Sequence, residues 1–138
     1  MRRPRMLQGL REIVAAYDAL IVDLWGVIHG GVEPYPGVLE TLSALRGAGK
    51  PVALLSNAPR RAATAGRRLT EIGVPPDAYD VLMTSGEAAH DALKLRDRPE
   101  HAGLGRGYFY IGPAWDADLV AGLDYRAVEA VERADFLL

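Results

Sequence analysis

The chain contains no cysteine, almost no excess charge and no long apolar run, and each absence excludes a class of function. Without cysteine there is no disulfide framework and no thiolate chemistry. A formal net charge of -2 at pH 7 gives no electrostatic reason to expect nucleic acid or an anionic membrane as a partner. No apolar run approaches the roughly 20 residues that a membrane-spanning helix needs. We therefore expect a cytoplasmic protein.

What is present is the composition of one ordinary globular domain. Of the 138 residues, 49% are hydrophobic and 25% are charged, a balance typical of chains that bury roughly two-thirds of their unfolded surface. Residues 1–5 are basic. Because they lack the apolar core of a signal peptide, we interpret them as a frayed tail.

Short apolar runs alternate with amphipathic stretches over the first 96 residues. Strands are predicted at residues 19–23, 51–57 and 80–85, and helices at 6–16, 36–47, 60–72 and 86–96. This alternation predicts an α/β fold, a Rossmann-like parallel sheet with helices on both faces. The apolar run at residues 19–22 is expected to be buried on both faces of that sheet.

The composition changes near Asp97, where a charged, glycine-rich segment begins. Residues 97–107 are predicted to be a hinge or linker. A strand, a short helix and two alternating segments are then predicted, at 108–111, 116–121, 125–131 and 134–138. Gly103, Gly105 and Gly107 superficially suggest a phosphate loop, but they precede a strand and so lack the context of a dinucleotide fingerprint.

Polar residues follow each of the three predicted core strands. Right-handed crossovers would bring Asp23, the pair Ser56 and Asn57, and the pair Thr84 and Ser85 to one edge of the sheet. Ligands bind at such strand ends in open α/β sheets, so we predict a functional site there. Local explanations stay open: Asp23 could cap the following turn, and Ser56 or Asn57 could cap the next helix.

The segment Val22-Asp-Leu-Trp-Gly-Val-Ile-His29 resembles the first motif of the haloacid dehalogenase superfamily, whose usual form is Asp-x-Asp-Gly after an apolar strand. It is most similar to the class IIA branch, the phosphatases resembling the sugar-phosphate and pyridoxal-phosphate enzymes. The resemblance implies that Asp23 attacks phosphorus and forms an aspartyl-phosphate. Trp25 stands where the family has its general-acid Asp, and an indole cannot exchange a proton at neutral pH.

The resemblance extends to a second motif and to a metal. Ser56 corresponds to the residue whose hydroxyl binds the phosphoryl group, and Asn57 to the residue that helps to orient it. Gly26 would let the backbone approach the phosphate closely. The family uses Mg²⁺, which Asp23 and the backbone carbonyl of Trp25 would help to hold. The family's phosphoryl-binding Lys and its further acidic ligands have no counterpart here, so we expect little or no activity from this chain alone.

Some titratable residues lie outside these motifs. His29 is a candidate for the missing acid, because it titrates near neutrality, although a loop histidine packed under a cap is the simpler interpretation. His90 and His101 are isolated and do not suggest a metal site. Lys50 and Lys94 are the only lysines, and a solvated surface position explains both better than phosphate binding.

The resemblance therefore predicts a partial haloacid dehalogenase core at residues 1–96, then a linker and the first part of an α/β cap domain at 97–138. The chain ends on apolar residues, so we expect it to be part of a longer protein. The implied function is a phosphatase acting on small phosphorylated metabolites. A non-catalytic phosphate- or metabolite-binding relative is the alternative. A receiver-like domain is a third possibility, but it would need an acidic pair near the end of the first strand, and the sequence has none there. A homodimer through an uncovered sheet edge is a further possibility.

Overall fold

The computed structural model describes residues 5–138, in which the chain forms two parallel three-stranded sheets. The first has the order β1-β2-β3, with β1 at Leu20–Asp23, β2 at Val52–Ser56 and β3 at Val81–Thr84. In the second, β4 (Gly107–Phe109) lies between β5 (Arg126–Ala127) and β6 (Phe136–Leu137). The basic segment interpreted as a frayed tail lies, except for Arg5, outside the described residues.

Helices connect these strands. The α-helices are α1 (Val38–Gly47), α2 (Ala62–Glu71), α3 (Ser85–Leu95) and α4 (Pro99–Ala102), the last inside the segment predicted to be a linker. The 3-10 helices are Leu10–Glu12, Val14–Ala16, Pro76–Ala78, Ala114–Val120 and Val131–Arg133, so the short helix predicted at 116–121 has 3-10 geometry. Between residues 5 and 138, no helix has the length and apolar character to cross a membrane.

The prediction of one amphipathic helix at residues 6–16 is wrong. The segment forms two separate 3-10 helices, and Leu10, expected on the apolar face, is 37% exposed. Gly9 is fully extended and so interrupts any longer helix, while β-branched Ile13 and Val14 favour helix only weakly. Only Val14 of this segment packs against the main core, so tertiary contacts do not compensate.

The α/β class is confirmed, and its core lies between the first sheet and two helices. Val52 and Leu54 of β2 are fully buried. They pack against Leu42 and Leu45 of α1 and against Leu69 of α2. Because Val52 and Leu54 lie on the same face of β2, the helices that pack against them cover the same side of the sheet.

The opposite face of the first sheet is bare in the described part of the chain. Its residues Ile21, Leu55, Val81 and Met83 are 76%, 49%, 52% and 37% exposed. The expectations of helices on both faces and of a doubly buried first strand are therefore wrong for residues 5–138. The sequence did not distinguish the two situations, because a run of apolar residues looks the same whether one face or both are covered.

Helix α3 packs towards the second sheet. Its Leu93 is buried with Leu119 and Val120 of the 3-10 helix Ala114–Val120, and Phe136 packs against this second cluster. His90, on the same helix, hydrogen-bonds through Nδ1 to the Leu119 carbonyl oxygen at 2.7 Å. The helix therefore joins the two sheets, and the boundary after residue 96 stays a prediction.

Candidate active site

Polar residues lie at the carboxyl ends of all three strands of the first sheet. β1 pairs in parallel with β2, and β2 with β3. In this register Asp23 is opposite Leu55, and Ser56 is opposite Thr84. The prediction that Asp23, Ser56 and Thr84 converge on one edge of the sheet is therefore confirmed.

Asp23 and Ser56 leave the sheet from different faces. Side chains alternate along a strand, so Asp23 shares the exposed face of Leu55, whereas Ser56 shares the buried face of Leu54. Asp23 is exposed, and one of its carboxylate oxygens accepts a hydrogen bond from the Leu24 N–H at 2.8 Å. A ligand touching both side chains would have to sit over the rim of the sheet.

The chain turns tightly directly after Asp23. The Leu24 carbonyl oxygen accepts hydrogen bonds from the backbone N–H groups of Val27, Ile28 and His29, at 3.3, 2.9 and 3.2 Å respectively. Gly26 has a φ of +80°, a conformation that strains other residues, and its N–H donates to the His29 carbonyl at 3.0 Å. Apart from its two chain neighbours, no described residue has an atom within 4 Å of the place where a Cβ on Gly26 would lie. The turn therefore explains this glycine, and a ligand could approach it.

Trp25, in the place of the expected acid, is 65% exposed. Its ring meets His29 edge to face, with 5.7 Å between ring centroids, and it lies where a side chain on Gly31 would have to go. The indole offers an apolar surface and one N–H donor, but no acidic proton.

His29 is held in the same loop by its own backbone neighbours. Its Nδ1 accepts a hydrogen bond from the Gly31 N–H at 3.0 Å, so the neutral ring carries its proton on Nε2. Partial burial, and then the positive charge of Arg68, lower the pKa of His29. The ring is therefore mainly neutral at pH 7, which makes it a weaker candidate for the missing acid.

Ser56 is buried, while Asn57 beside it is exposed. The Ser56 Oγ accepts a hydrogen bond from the Ala58 N–H at 3.2 Å, which leaves its own O–H free to donate. Helix α2 starts after Arg61, without a side-chain cap. The alternative that Ser56 or Asn57 caps this helix is therefore wrong, although Ser56 does support the local turn.

A cleft of about 200 Å³ opens beside Ser56. Trp25, His29, Arg60 and Arg68 also line it, but Asp23 and Asn57 do not. A groove of about 440 Å³ between the N-terminal turns and α1 is larger, but it lies away from the strand ends. We therefore take the smaller cleft as the candidate binding site.

Two arginines of this cleft escaped the sequence interpretation. Arg68 donates to Glu71 at 3.0 Å and to the Gly31 carbonyl at 3.0 Å, so it ties α2 to the loop after β1. Arg60 lies four positions after Ser56 in the β2–α2 connection, the part of an α/β unit where ligands bind. Its place in that connection is the feature of the sequence from which Arg60 could have been predicted as a site residue.

A polar network fixes the start of α2. Arg61 makes two hydrogen bonds of 2.8 Å with the Glu87 carboxylate, which also accepts from the Ala62 N–H at 2.8 Å. The hydrogen bond from Arg61 is the main reason that the pKa of Glu87 falls to about 2. Thr84 caps α3 by accepting from the Glu87 N–H at 3.0 Å, and its hydroxyl donates to the Arg60 carbonyl at 2.6 Å.

Several other residues singled out in the sequence have structural roles. A side chain on Gly105 would overlap Asp135, and the Gly107 N–H donates to the Asp135 carboxylate at 2.7 Å, so close packing explains this glycine spacing. Lys50 donates to the Tyr17 carbonyl at 2.6 Å. His90 is buried and lies against Leu119 as described above.

The sequence pattern of the family described as haloacid dehalogenase-like hydrolase matches residues 20–126, which include both strand-end motifs. The chain belongs to this family. The fold agrees, because a haloacid dehalogenase-like hydrolase from Brucella suis 1330 superposes with a TM-score of 0.83 at 28% identity, over 96% of this chain and 45% of that one.

Named relatives of this family member are phosphatases. The glycerol-3-phosphate phosphatase of Homo sapiens is 35% identical over 114 residues, which are 80% of this chain and 36% of the human protein. The crystal structure of a glycerol phosphate phosphatase from Mycobacterium tuberculosis, in complex with calcium, has a TM-score of 0.62 at 27% identity. The chain covers 91% of its own length in that match and 35% of the other protein. It thus spans less than half the length of each of these relatives.

The described residues supply only part of a site for a divalent metal. Asp23 offers one carboxylate and Trp25, two positions later, offers a backbone carbonyl, and both groups supply oxygens of the kind that Mg²⁺ prefers. No group of three or more His, Cys, Asp or Glu side chains that could hold a metal occurs between residues 5 and 138. These residues therefore do not make a complete magnesium site by themselves.

Proposed function

We propose that this chain is the Asp23-bearing part of a phosphatase that acts on small phosphomonoesters through an aspartyl-phosphate. The observation that carries the proposal is the position of Asp23 and Ser56 at the carboxyl ends of adjacent parallel strands. Glycerol-3-phosphate phosphatases among its relatives support a phosphorylated alcohol as substrate. Residues 97–138 would begin the cap over that substrate.

Asp23 would act as the nucleophile. One carboxylate oxygen attacks phosphorus, and the bond from phosphorus to the alcohol oxygen breaks, with the electron pair leaving on that oxygen. Water then attacks the phosphorus of the aspartyl-phosphate, which releases inorganic phosphate and restores the carboxylate. The exposure of Asp23 supports this role, because both phosphate ester and water can reach it.

Ser56 would bind the phosphoryl group through the hydroxyl proton that its local turn leaves free. Gly26 would allow a close approach of the ligand to the backbone, and Asn57 would orient the substrate from outside the cleft. Trp25 gives the departing alcohol oxygen no acidic proton, so the proton would have to come from water. Losing a general acid typically costs a factor of about 10²–10⁴ in rate.

Mg²⁺ is the metal we expect, with Asp23 and the Trp25 carbonyl as two of its ligands. Its charge would stabilise the phosphoryl oxygens, which is usually the largest contribution to catalysis. Because the described residues supply an incomplete ligand set, we expect slow turnover from this chain alone.

A slow reaction is best tested by trapping its covalent intermediate. The chain is incubated with 4-nitrophenyl phosphate and Mg²⁺, since nitrophenolate leaves without needing a proton, and the protein is then analysed by mass spectrometry. We expect one added phosphoryl group on Asp23, together with nitrophenolate release. Both should disappear in Asp23→Asn and persist in the control Asp18→Asn, which removes an exposed carboxylate just before β1.

An adduct on another residue, or cleavage that survives Asp23→Asn, would contradict the proposal. The replacement of the usual acid by Trp25 favours a second candidate, a phosphate- or metabolite-binding protein without turnover. Binding of inorganic phosphate in the cleft without any adduct would support that candidate instead.

A further inference from the structure

Arg60 is contacted at two points, one on its backbone and one on its side chain. Its carbonyl oxygen accepts the hydrogen bond from Thr84, and its side-chain Nε lies 3.2 Å from a carboxylate oxygen of Asp116. Asp116 is only 4% exposed and belongs to the 3-10 helix Ala114–Val120, which packs with the second sheet. The side chain of Arg60 is thus oriented from a different part of the fold than the one that carries it.

The ion pair uses only a small part of the Arg60 guanidinium. Arginine has five N–H donors, and Asp116 lies next to the single one on Nε, although neither Nε nor this Asp116 oxygen makes a hydrogen bond within residues 5–138. The two terminal nitrogens of Arg60 donate no hydrogen bond to any residue within 5–138. The Arg60 side chain is 32% exposed to solvent. Removing a carboxylate and an arginine from water is costly, and this cost is offset only when the remaining donors are also hydrogen-bonded. A pair that leaves four donors unused is therefore not explained by a contribution to stability alone.

Arg60 is one of the residues that line the cleft beside Ser56. Arg68 adds a second positive charge to this cleft, and that charge contributes to the lowered pKa of His29. The environment is therefore electrostatically favourable for an anion, and a planar guanidinium can donate two parallel hydrogen bonds to phosphate oxygens.

We propose that Arg60, positioned by Asp116, is a substrate-binding residue whose terminal nitrogens bind the anionic phosphoryl oxygens of the ligand beside Ser56. Describing that ligand as a substrate rests on the proposed function, whereas the anion site itself does not. Arg60 would then supply, from within this chain, part of the positive charge for which no lysine of the sequence is placed.

The test measures the binding of inorganic phosphate to the intact chain by NMR titration at constant ionic strength. A charged hydrogen bond contributes roughly 1.5–3 kcal/mol, so Arg60→Gln should weaken phosphate binding by about 10- to 150-fold. The matched control is Arg67→Gln, which removes the same charge from the exposed side of α2 and should leave affinity within about twofold. Shifts on phosphate addition should centre on the backbone amides of Ser56 and His29.

Two further variants keep the result interpretable. Arg60→Gln leaves the Asp116 carboxylate buried without its partner and could unfold the chain. The double variant Arg60→Gln with Asp116→Asn removes both charges and so avoids this cost. It should also lose phosphate binding. Asp23→Asn should retain phosphate binding even though it abolishes the covalent adduct, which separates failure of this inference from failure of the phosphatase proposal. Unchanged affinity in a folded Arg60 variant, or phosphate shifts centred away from the cleft, would overturn the inference.

Discussion

Protonation or removal of the Glu87 carboxylate should release the start of α2 and destabilise the fold. The lowering of the Glu87 pKa from 4.5 to about 2 corresponds to about 3 kcal/mol, at roughly 1.4 kcal/mol per pKa unit. Because 20% of the side chain stays exposed and solvent screens the pair, we expect about 1–2 kcal/mol from this interaction. Glu87→Gln should reduce the free energy of unfolding at pH 7 by that amount.

The pH dependence gives the sign of the effect. A carboxyl group whose pKa is lowered by folding stabilises the folded state above its unfolded pKa, and this stability is lost as the pH falls from about 4.5 to about 2. Urea unfolding followed by far-UV circular dichroism should therefore show the wild type and Glu87→Gln converging in stability across that range.

The control is Glu71→Gln, which removes a carboxylate paired with Arg68 at the surface, where the two side chains are 64% and 53% exposed. That substitution should cost less than about 0.5 kcal/mol. If Glu87→Gln costs no more than Glu71→Gln at pH 7, or if its effect persists unchanged at pH 2, the reasoning from the Arg61–Glu87 pair is refuted.

Two other substitutions test the site and its support. Trp25→Asp should restore the missing general acid and accelerate hydrolysis of glycerol 3-phosphate by about 10²–10⁴-fold, measured as phosphate release, with a much smaller gain for 4-nitrophenyl phosphate; equal gains for both esters would contradict this role. Gly86→Ala would push a methyl group into the Pro59 and Arg60 carbonyls and should destabilise the fold by roughly 1–3 kcal/mol in urea unfolding. Gly47→Ala, at an uncrowded helical position, should be neutral or stabilising, and a similar loss there would argue against the steric explanation for Gly86.

The three core strands could be predicted from the sequence because each is a short apolar run that ends in a polar residue. β2 shows this clearly, since Val52 and Leu54 are buried and Ser56 follows at the sheet edge. The same reasoning failed at Ile21, because its exposure depends on whether a distant element covers the face and not on its neighbours in sequence. The first helix failed because Gly9 interrupts an otherwise helical spacing.

The candidate site was predictable only where its residues belong to a strand end. Asp23 and Ser56 each follow an apolar run, so their positions at the edge follow from the topology. For Arg60 the sequence offers only its place in the β2–α2 connection, because the orientation of its side chain depends on Asp116, which is 56 positions further along the chain and belongs to the 3-10 helix Ala114–Val120. Long-range ion pairs of this kind cannot be read from periodicity or from turn residues.

The uncovered side of the first sheet affects how the stability measurements above should be made. Four large aliphatic side chains reach solvent there in the folded state, a patch of the kind that adsorbs environment-sensitive dyes. In a dye-based melting curve the folded protein would already give high dye fluorescence, so the increase on unfolding would be small. Salts that strengthen apolar contacts would raise the fluorescence of the folded protein further. Circular dichroism, which reports backbone order directly, avoids this background.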